Sequence, residues 1–244
     1  HLDTVTRPWM PQISGFPPRL TRTRVDLEYN PKKRQTAVFT GLVERKANLI
    51  EMIPEGPGMK VVVDGGELAD GVAIGDSISV SGCCLTVIEL DGQQLAFQAG
   101  EETLSRTTLG DKTAGDFVNL ERSLKADARM GGHFVSGHVD AVGTVDRRID
   151  DEDWSTYWFK VPKALMSEIA SKGSVTVDGI SLTVVGVEEQ CFSVALIPHT
   201  LQVTTLGDYA PGAHVNIETD ILAKYVGRQL QGHLERIGGQ GTSD

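Results

Sequence analysis

Cysteine is scarce in this chain of 244 residues: Cys83, Cys84 and Cys191 are the only three, an odd count with two of them adjacent. Such a set builds no disulfide framework, and without a C-x-x-C pair it carries no zinc signature. The scarcity fits a reducing cytoplasm. Positive charge is also in short supply, with 23 Lys and Arg against 33 Asp and Glu and a formal net charge of −10. Nucleic-acid binding needs Lys and Arg clustered against phosphates, so that class is set aside. Long apolar runs are missing as well. None approaches the ~20 residues of a bilayer-spanning helix, and no membrane association is expected. What remains is an ordinary globular composition, 40% hydrophobic and 23% charged, with room for two compact cores.

The chain is rich in repetition. Residues 77–121, SISVSGCCLTVIELDGQQLAFQAGEETLSRTTLGDKTAGDFVNLE, align without a gap on residues 174–218, SVTVDGISLTVVGVEEQCFSVALIPHTLQVTTLGDYAPGAHVNIE, and 18 of the 45 positions are identical. Unrelated segments would agree at about three, so this is a duplicated unit. The constant offset of 97 reaches back to Leu68 and Leu165; after one slipped residue the copies open alike, FTGLVE at Phe39–Glu44 against FVSGHVD at Phe134–Asp140. Two similar domains therefore stand in tandem, residues 38–130 and 131–220, with a terminal segment at 221–237. Residues 1–37 have no copy, and the first 36 hold seven Lys and Arg against three Asp and Glu, with several prolines. The expectation is a poorly ordered extension; an Arg-rich transit peptide would make the destination organellar.

Within each copy the apolar residues alternate. Ile78 and Val80 interleave with Ser77, Ser79 and Ser81, and Leu85 and Val87 resume after Gly82; Val175, Val177, Gly179, Leu182 and Val184 repeat the pattern. Turn signals at Asp91-Gly92, Leu109-Gly110-Asp111 and Pro211-Gly212 join short antiparallel strands. About six strands and one short helix per copy fit a closed barrel better than a sandwich. The expected fold is all-β: two tandem six-stranded antiparallel β-barrels plus a C-terminal α-helix. The short helix is clearest at Pro162–Ser171, with Leu165, Met166 and Ile169 on one face and Gly173 beyond, and is weaker at Leu68–Ala73. After the second copy Asp220 is a good N-cap for a helix carrying Leu222, Val226, Leu230 and Leu234. That apolar stripe must be covered, by its own barrel or by the same helix of other subunits, and spacing leaves both open.

Reactive side chains are not shared between the copies. Cys84 faces Ser181, Leu42 faces His138, Ser123 faces Asp220, and Gly100-Glu101-Glu102 faces Ile197-Pro198-His199, whereas Thr86/Thr183 and Thr103/Thr200 are the same. Shared positions suit a common fold and ligand mode; unequal polar positions suit a division of labour. His133 and His138 look like a metal pair, but five residues apart on a strand places them on opposite faces, and no thiol or carboxylate cluster completes a set, so no metal is expected. Cys84 with His138 resembles a thiol–imidazole couple, a weak signal because a lone Cys in a β-rich core acts as a small hydrophobe. His199 and His214 are expected at the surface.

The segments FTGLVE, GDSISVSGCCLTV, ETL…TTLGD, GGHFVSGHVD, KGSVTVDGISLTV, LIPHTL and VNIETD follow in order and spacing the pattern of the riboflavin synthases of the α-chain type. The resemblance spans about residues 38–230. It implies a cytoplasmic homotrimer of two-barrel subunits, a transferase that needs no cofactor and no metal because the substrate ring is its own electron sink. Two molecules of 6,7-dimethyl-8-ribityllumazine would bind per site, between the first barrel of one subunit and the second of its neighbour. They would yield riboflavin and 5-amino-6-ribitylamino-uracil. Association with lumazine synthase belongs to the same expectation.

By the resemblance, Cys84, Leu85 and Thr86 work in the first barrel, with Gly41, Leu42 and Val43 shaping its pocket beside Gln98, Ala99, Gly100, Glu101, Glu102 and Thr103. Ser181, Leu182, Thr183, Lys172 and Asp220 work in the second, together with Gly137, His138 and Val139. Ala195, Leu196, Ile197, Pro198, His199 and Thr200 stand opposite them. Cys84, His138, Ser181 and Asp220 are the candidates for the chemistry itself. His199 departs from the acidic residue common in relatives, which puts details of the second pocket in question. The same scaffold carries fluorescent antenna proteins that bind lumazine or flavin without catalysis; those lose second-barrel motifs, whereas GISLTV and GGHFVSGHVD are intact here. A flavin reductase with a similar barrel would need a nicotinamide-binding domain with a Gly-rich loop, and none is found.

Overall fold

The computed structural model describes residues 37–238, with side chains as far as Gln231. The expectations for residues 1–36 and for the Leu234 side chain lie outside these residues. In the first barrel, β1 (Arg45–Glu55), β2 (Gly58–Asp64), β3 (Ser77–Val80), β4 (Cys83–Asp91), β5 (Gln94–Ala99) and β6 (Phe117–Arg122) close in the order β1-β2-β5-β4-β3-β6. The second barrel repeats that order with β7 (Ala141–Asp151), β8 (Trp154–Lys160), β9 (Ser174–Val177), β10 (Ile180–Val187), β11 (Cys191–Leu196) and β12 (His214–Thr219). All pairings between named strands are antiparallel, as the turn-punctuated alternation requires. Irregularities recur too: the register slips at Val87/Glu89 and Val184/Gly186, and at Leu49/Glu51 and Val145/Arg147. An extra residue bends a strand and sharpens its twist, which lets so small a sheet close.

The alternation fills each barrel. Leu49, Val61, Ile78, Val80, Val87, Leu95 and Phe97 are buried in the first; Val145, Tyr157, Phe159, Val175, Val177, Val184 and Phe192 in the second. Each such side chain contributes roughly 1.5–3 kcal/mol when withdrawn from water. The second core is the more aromatic, with ring centroids 5.8 Å apart for Tyr157–Phe159 and 5.4 Å for Phe159–Phe192.

The barrels meet through two hairpin tips. Ser81-Gly82 and Asp178-Gly179 take positive φ (46° and 85°; 46° and 78°), the turn whose twist suits a two-residue hairpin. A Cβ on Gly179 would sit 2.8 Å from the Gly82 nitrogen, so the backbones touch only because both residues are glycine. Two buried asparagines then bond reciprocally across the junction. Asn119 Nδ2 donates to the Asp178 carbonyl and its Oδ1 accepts from Thr205 N, while Asn216 Nδ2 donates to the Ser81 carbonyl and its Oδ1 accepts from Thr108 N.

Helices depart from expectation in two ways. Pro162–Ser171 is not a regular helix: Pro162 caps a 3-10 stretch, Lys163–Glu168, and Ile169 turns extended because its side chain is drawn into the second core. The counterpart is a four-residue 3-10 turn, Gly66–Ala69. Conversely, each copy has a six-residue α-helix after its fifth strand, α1 (Glu101–Arg106) and α2 (Pro198–Val203). These are too short for periodicity to announce and are held by Leu104 and Leu201 against the barrel cores. The last helix, α3 (Ile221–Gly238), starts as expected, with Asp220 Oδ1 accepting from Leu222 N at 2.9 Å.

Candidate functional site

Each copy opens with a loop that is gripped by a buried glutamate of its own last strand. Thr40 N and Oγ1 both donate to Glu121 Oε1 at 2.7 Å and Gly41 N to Oε2 at 2.9 Å; Ser136 N and Oγ donate to Glu218 Oε1 at 2.7 Å and Gly137 N to Oε2 at 3.0 Å. Burial pushes both carboxyls up, and the convergent donors oppose it.

So held, each loop reaches over to the other copy's barrel. Ser181 N donates to the Gly41 carbonyl and Cys84 N to the Gly137 carbonyl, both at 2.8 Å, and Phe39 bridges Val135 between the loops. Both glycines have φ +77°, and a Cβ would lie 2.5 Å from Ser181 Cβ at Gly41 or 2.7 Å from Cys84 Cβ at Gly137. No other residue type fits. Val43 accordingly packs on the second core and Val139 on the first. This corrects the grouping expected from sequence: Gly41, Leu42 and Val43 border Ser181, and Gly137, His138 and Val139 border Cys84. A linear alignment attaches each loop to the barrel that follows it, whereas the chain carries the loop beyond the end of that barrel.

The first barrel and the second copy's loop enclose a cavity of about 270 Å³. Its walls are Cys83, Cys84 and Thr107, the helix α1 residues Glu102, Thr103 and Arg106, and Gly137, His138 and Val139. Six of the expected site residues thus converge: Cys84, Glu102, Thr103, Gly137, His138 and Val139. Burial pushes the Cys84 thiol up, opposed by the Ser77 hydroxyl beside it, and pushes Cys83 up to about 12. Both are thiols at neutral pH. Cys84 and His138 therefore share a pocket without forming the activated thiolate pair that nucleophilic catalysis demands.

At the equivalent place in the second barrel stands Ser181, and its neighbour is His133, which the sequence reading weighed only as a metal ligand. His133 Nδ1 lies 2.7 Å from Ser181 Oγ and Nε2 lies 3.2 Å from Thr176 Oγ1. Burial pulls the imidazole below its ordinary value, favouring the neutral form against the opposing charge of Asp220. Opposite strand faces do not separate His133 from His138: the stretch has only an isolated bridge at Val135, and each imidazole serves a different barrel. Nothing in the repeat gives His133 this place, because it precedes Phe134, where the aligned copies open.

The remaining expected residues are placed less centrally. Leu85, Ala99 and Leu196 turn their side chains into the cores, leaving only main chain for a guest. Thr86, Thr183, Gln98, Gly100, Glu101, Ala195, Ile197, Pro198 and His199 are exposed; Leu182 and Thr200 are half-buried; Gln98 also reaches Glu55. Leu42 is half-exposed at the loop tip. Lys172 is exposed with φ +67°, standing where the first copy has Gly75, and its N–H donates to the Val184 carbonyl as Gly75 donates to Val87. Asp220 caps α3 and bears on His133. His214, like His199, is exposed.

A lumazine binding domain model matches residues 40–123 and, again, residues 136–220. The riboflavin synthase of Escherichia coli (strain K12) is 44% identical over 186 residues, covering 75% of this chain and 87% of that protein. The riboflavin synthase of Mycobacterium tuberculosis (strain ATCC 25618 / H37Rv) is 41% identical over 199 residues, covering 80% and 98%. Among solved structures, LumP complexed with riboflavin has a TM-score of 0.69 at 26% identity, covering 74% of this chain and 98% of that one.

Proposed function

This chain belongs to the lumazine-binding domain family, and we propose that it is a riboflavin synthase. It takes two molecules of 6,7-dimethyl-8-ribityllumazine and moves a four-carbon unit from one to the other, giving riboflavin and 5-amino-6-ribitylamino-uracil. The observation that carries this reading is the pair of equivalent but unlike cradles, Cys84 with Gly137–Val139 and Ser181 with Gly41–Val43. A reaction between two identical molecules must treat one as donor and the other as acceptor, and this arrangement offers two loops on equivalent backbone bonds beside different side chains. Identity favours the enzyme: 44% to the E. coli synthase against 26% to LumP.

In this account Cys84 and His138 contact the guest of the first barrel, Ser181 and Thr183 that of the second, with Lys172 and Asp220 at the rim. The ring system carries the electrons, so the transferase works without a cofactor. Holding two rings face to face supplies up to ~7–11 kcal/mol of the barrier by making the encounter intramolecular. The face-to-face site joins the first barrel of one subunit to the second barrel of another in a homotrimer. In support, α3 leaves Leu222, Tyr225, Val226 and Leu230 more than half exposed in the single chain, an apolar stripe that needs cover. The setting is cytoplasmic, and association with lumazine synthase is part of the proposal.

Purified protein mixed with 6,7-dimethyl-8-ribityllumazine should generate riboflavin fluorescence over time, with the pyrimidine product in equal amount. Tight binding with no turnover would replace the enzyme by an antenna protein.

A further inference from the structure

We propose that Lys224, on α3, is a positioning residue that holds the second copy's loop closed over the Cys84 pocket, an inference that takes the pocket's guest from the synthase reading. Glu218 grips the start of this loop, Gly137, His138 and Val139 wall the pocket, and Asp140 ends it. Asp140 Oδ2 accepts from Thr219 N at 2.8 Å and from Lys224 Nζ at 2.7 Å. The Thr219 hydroxyl lies 3.1 Å from the same oxygen and 2.6 Å from Glu168 Oε2, one proton between two carboxylates. Burial pushes the neighbouring Glu218 carboxyl up, and the charge of Lys224 is one of the influences that oppose it. Three carboxylates thus meet at the foot of one loop. Among the described residues Lys224 is the only cation within ion-pair distance of any of them. The Lys224 and Asp140 side chains are only 23% and 21% exposed, so Asp140 stripped of its cation would be a partly buried, unpaired charge.

The first copy meets the same need differently. Glu44 stands where Asp140 stands, and its cation comes from its own barrel: Arg122 N and Nε donate to it at 2.7 and 2.9 Å. The offset of 97 puts Thr219 opposite Arg122, and exposed Asp127 opposite Lys224. The second barrel therefore has no cation of its own at this corner and takes one from α3. Lys224 points to the barrel, while Leu222 and Val226, two residues to either side, lie on the opposite face with the apolar stripe. The seating of α3 is felt at the Cys84 pocket through this one ion pair. The loop bordering Ser181 is held without it.

Thiol chemistry reads the loop without any turnover. The Gly137 carbonyl accepts the Cys84 N–H, so a loosened loop uncovers Cys84, while Cys83 stays buried in the first core. Iodoacetamide labelling of the full ligand-free chain, followed at each cysteine by mass spectrometry, should be about tenfold faster at Cys84 in Lys224→Met than in the parent. Lys224→Arg, which keeps the charge, should stay within about twofold of the parent, with Cys83 unlabelled throughout. An unchanged Cys84 rate in Lys224→Met would overturn the proposal. So would Cys83 labelling in step with Cys84, because the barrel itself would then have opened. Asp140→Asn keeps an acceptor for Thr219 N and sheds the charge. Added to Lys224→Met, it should return Cys84 labelling to within about threefold of the parent, and a double variant as fast as Lys224→Met would contradict the ion pair's role. In turnover, Lys224→Met should raise KM about tenfold with kcat within about threefold of the parent, and a loss confined to kcat would also contradict it. A parent that forms no riboflavin would reject the synthase reading instead and leave the labelling to judge the loop.

Discussion

At the tip of the β3–β4 hairpin stands Ser81; at the tip of the β9–β10 hairpin, in the same turn and at the same φ of 46°, stands Asp178. Four residues or fewer from each tip the contrast repeats, Cys84 against Ser181, Ser79 against Thr176. Beside these lie positions that never differ: Asn119 and Asn216 exchange bonds across the junction, and Glu121 and Glu218 grip the crossing loops. The identical residues hold backbone to backbone, where any change would leave a buried amide unpaired. Of the unlike residues, Cys84 lines the first cavity, Ser181 meets His133, and Asp178 is buried against Asn216 N and Tyr209 O–H. Duplication has thus kept the frame and let the lining diverge, as a reaction between two copies of one molecule requires.

The largest expected effect tests whether the frames are equal in strength. Phe97→Ala and Phe159→Ala should each cost about 3–5 kcal/mol in urea unfolding, and Phe159 should cost more by roughly 0.5–1.5 kcal/mol because it stacks on Tyr157 and Phe192. Equal costs would mean that the aromatic second core adds nothing beyond area.

Ser181→Ala should lower kcat by roughly 10²–10³-fold, in the range of losing one preorganised donor, with binding less affected. A drop confined to KM would make Ser181 a binding group only.

Asp178 sharpens the comparison through pH. Burial pushes its carboxyl up to about 6, against the donors Asn216 N and Tyr209 O–H and the nearby Lys112. The native state therefore holds this proton more tightly than the unfolded chain. Stability is favoured at the acid end and falls as pH rises from about 4 through 6, by roughly 2–3 kcal/mol, then stays level. Asp178→Asn should flatten that slope in urea midpoints measured across the window, whereas Ser81→Ala should leave it unchanged. An unaltered slope in the Asn variant would assign the titration elsewhere, with Glu121 and Glu218 next in line because their shifts have the same sign.

The smallest effect belongs to Cys84→Ser, which imitates the second barrel and should lose only about tenfold in turnover.

The repeat made the twin barrels legible: a gapless offset demands like folds, and alternation with regular turns demands closed antiparallel sheets. The cradles were half legible. Cys84 and Ser181 stood out because the copies disagree there, but the crossing of the loops did not. An alignment records which residues correspond, never which barrel a loop touches, and Gly41 and Gly137 reveal the exchange only through the Cβ contacts they avoid. The place of His133 beside Ser181 stayed hidden for a related reason, since it precedes the aligned stretch. The helix expected at Pro162–Ser171 failed because the apolar spacing of Leu165, Met166 and Ile169 serves a barrel end, where Ile169 is buried in extended conformation.

The claim that the two barrels are equal in shape and unequal in task is tested most directly by exchanging their reactive side chains in one chain, Cys84→Ser with Ser181→Cys. The swapped protein should fold with an unchanged urea midpoint and bind lumazine, but turn over at about one hundredth of the parental rate, because the serine hydroxyl has left the His133 imidazole that lies 2.7 Å from it. Turnover within a factor of about two of the parent would contradict the account, and would make the two pockets interchangeable.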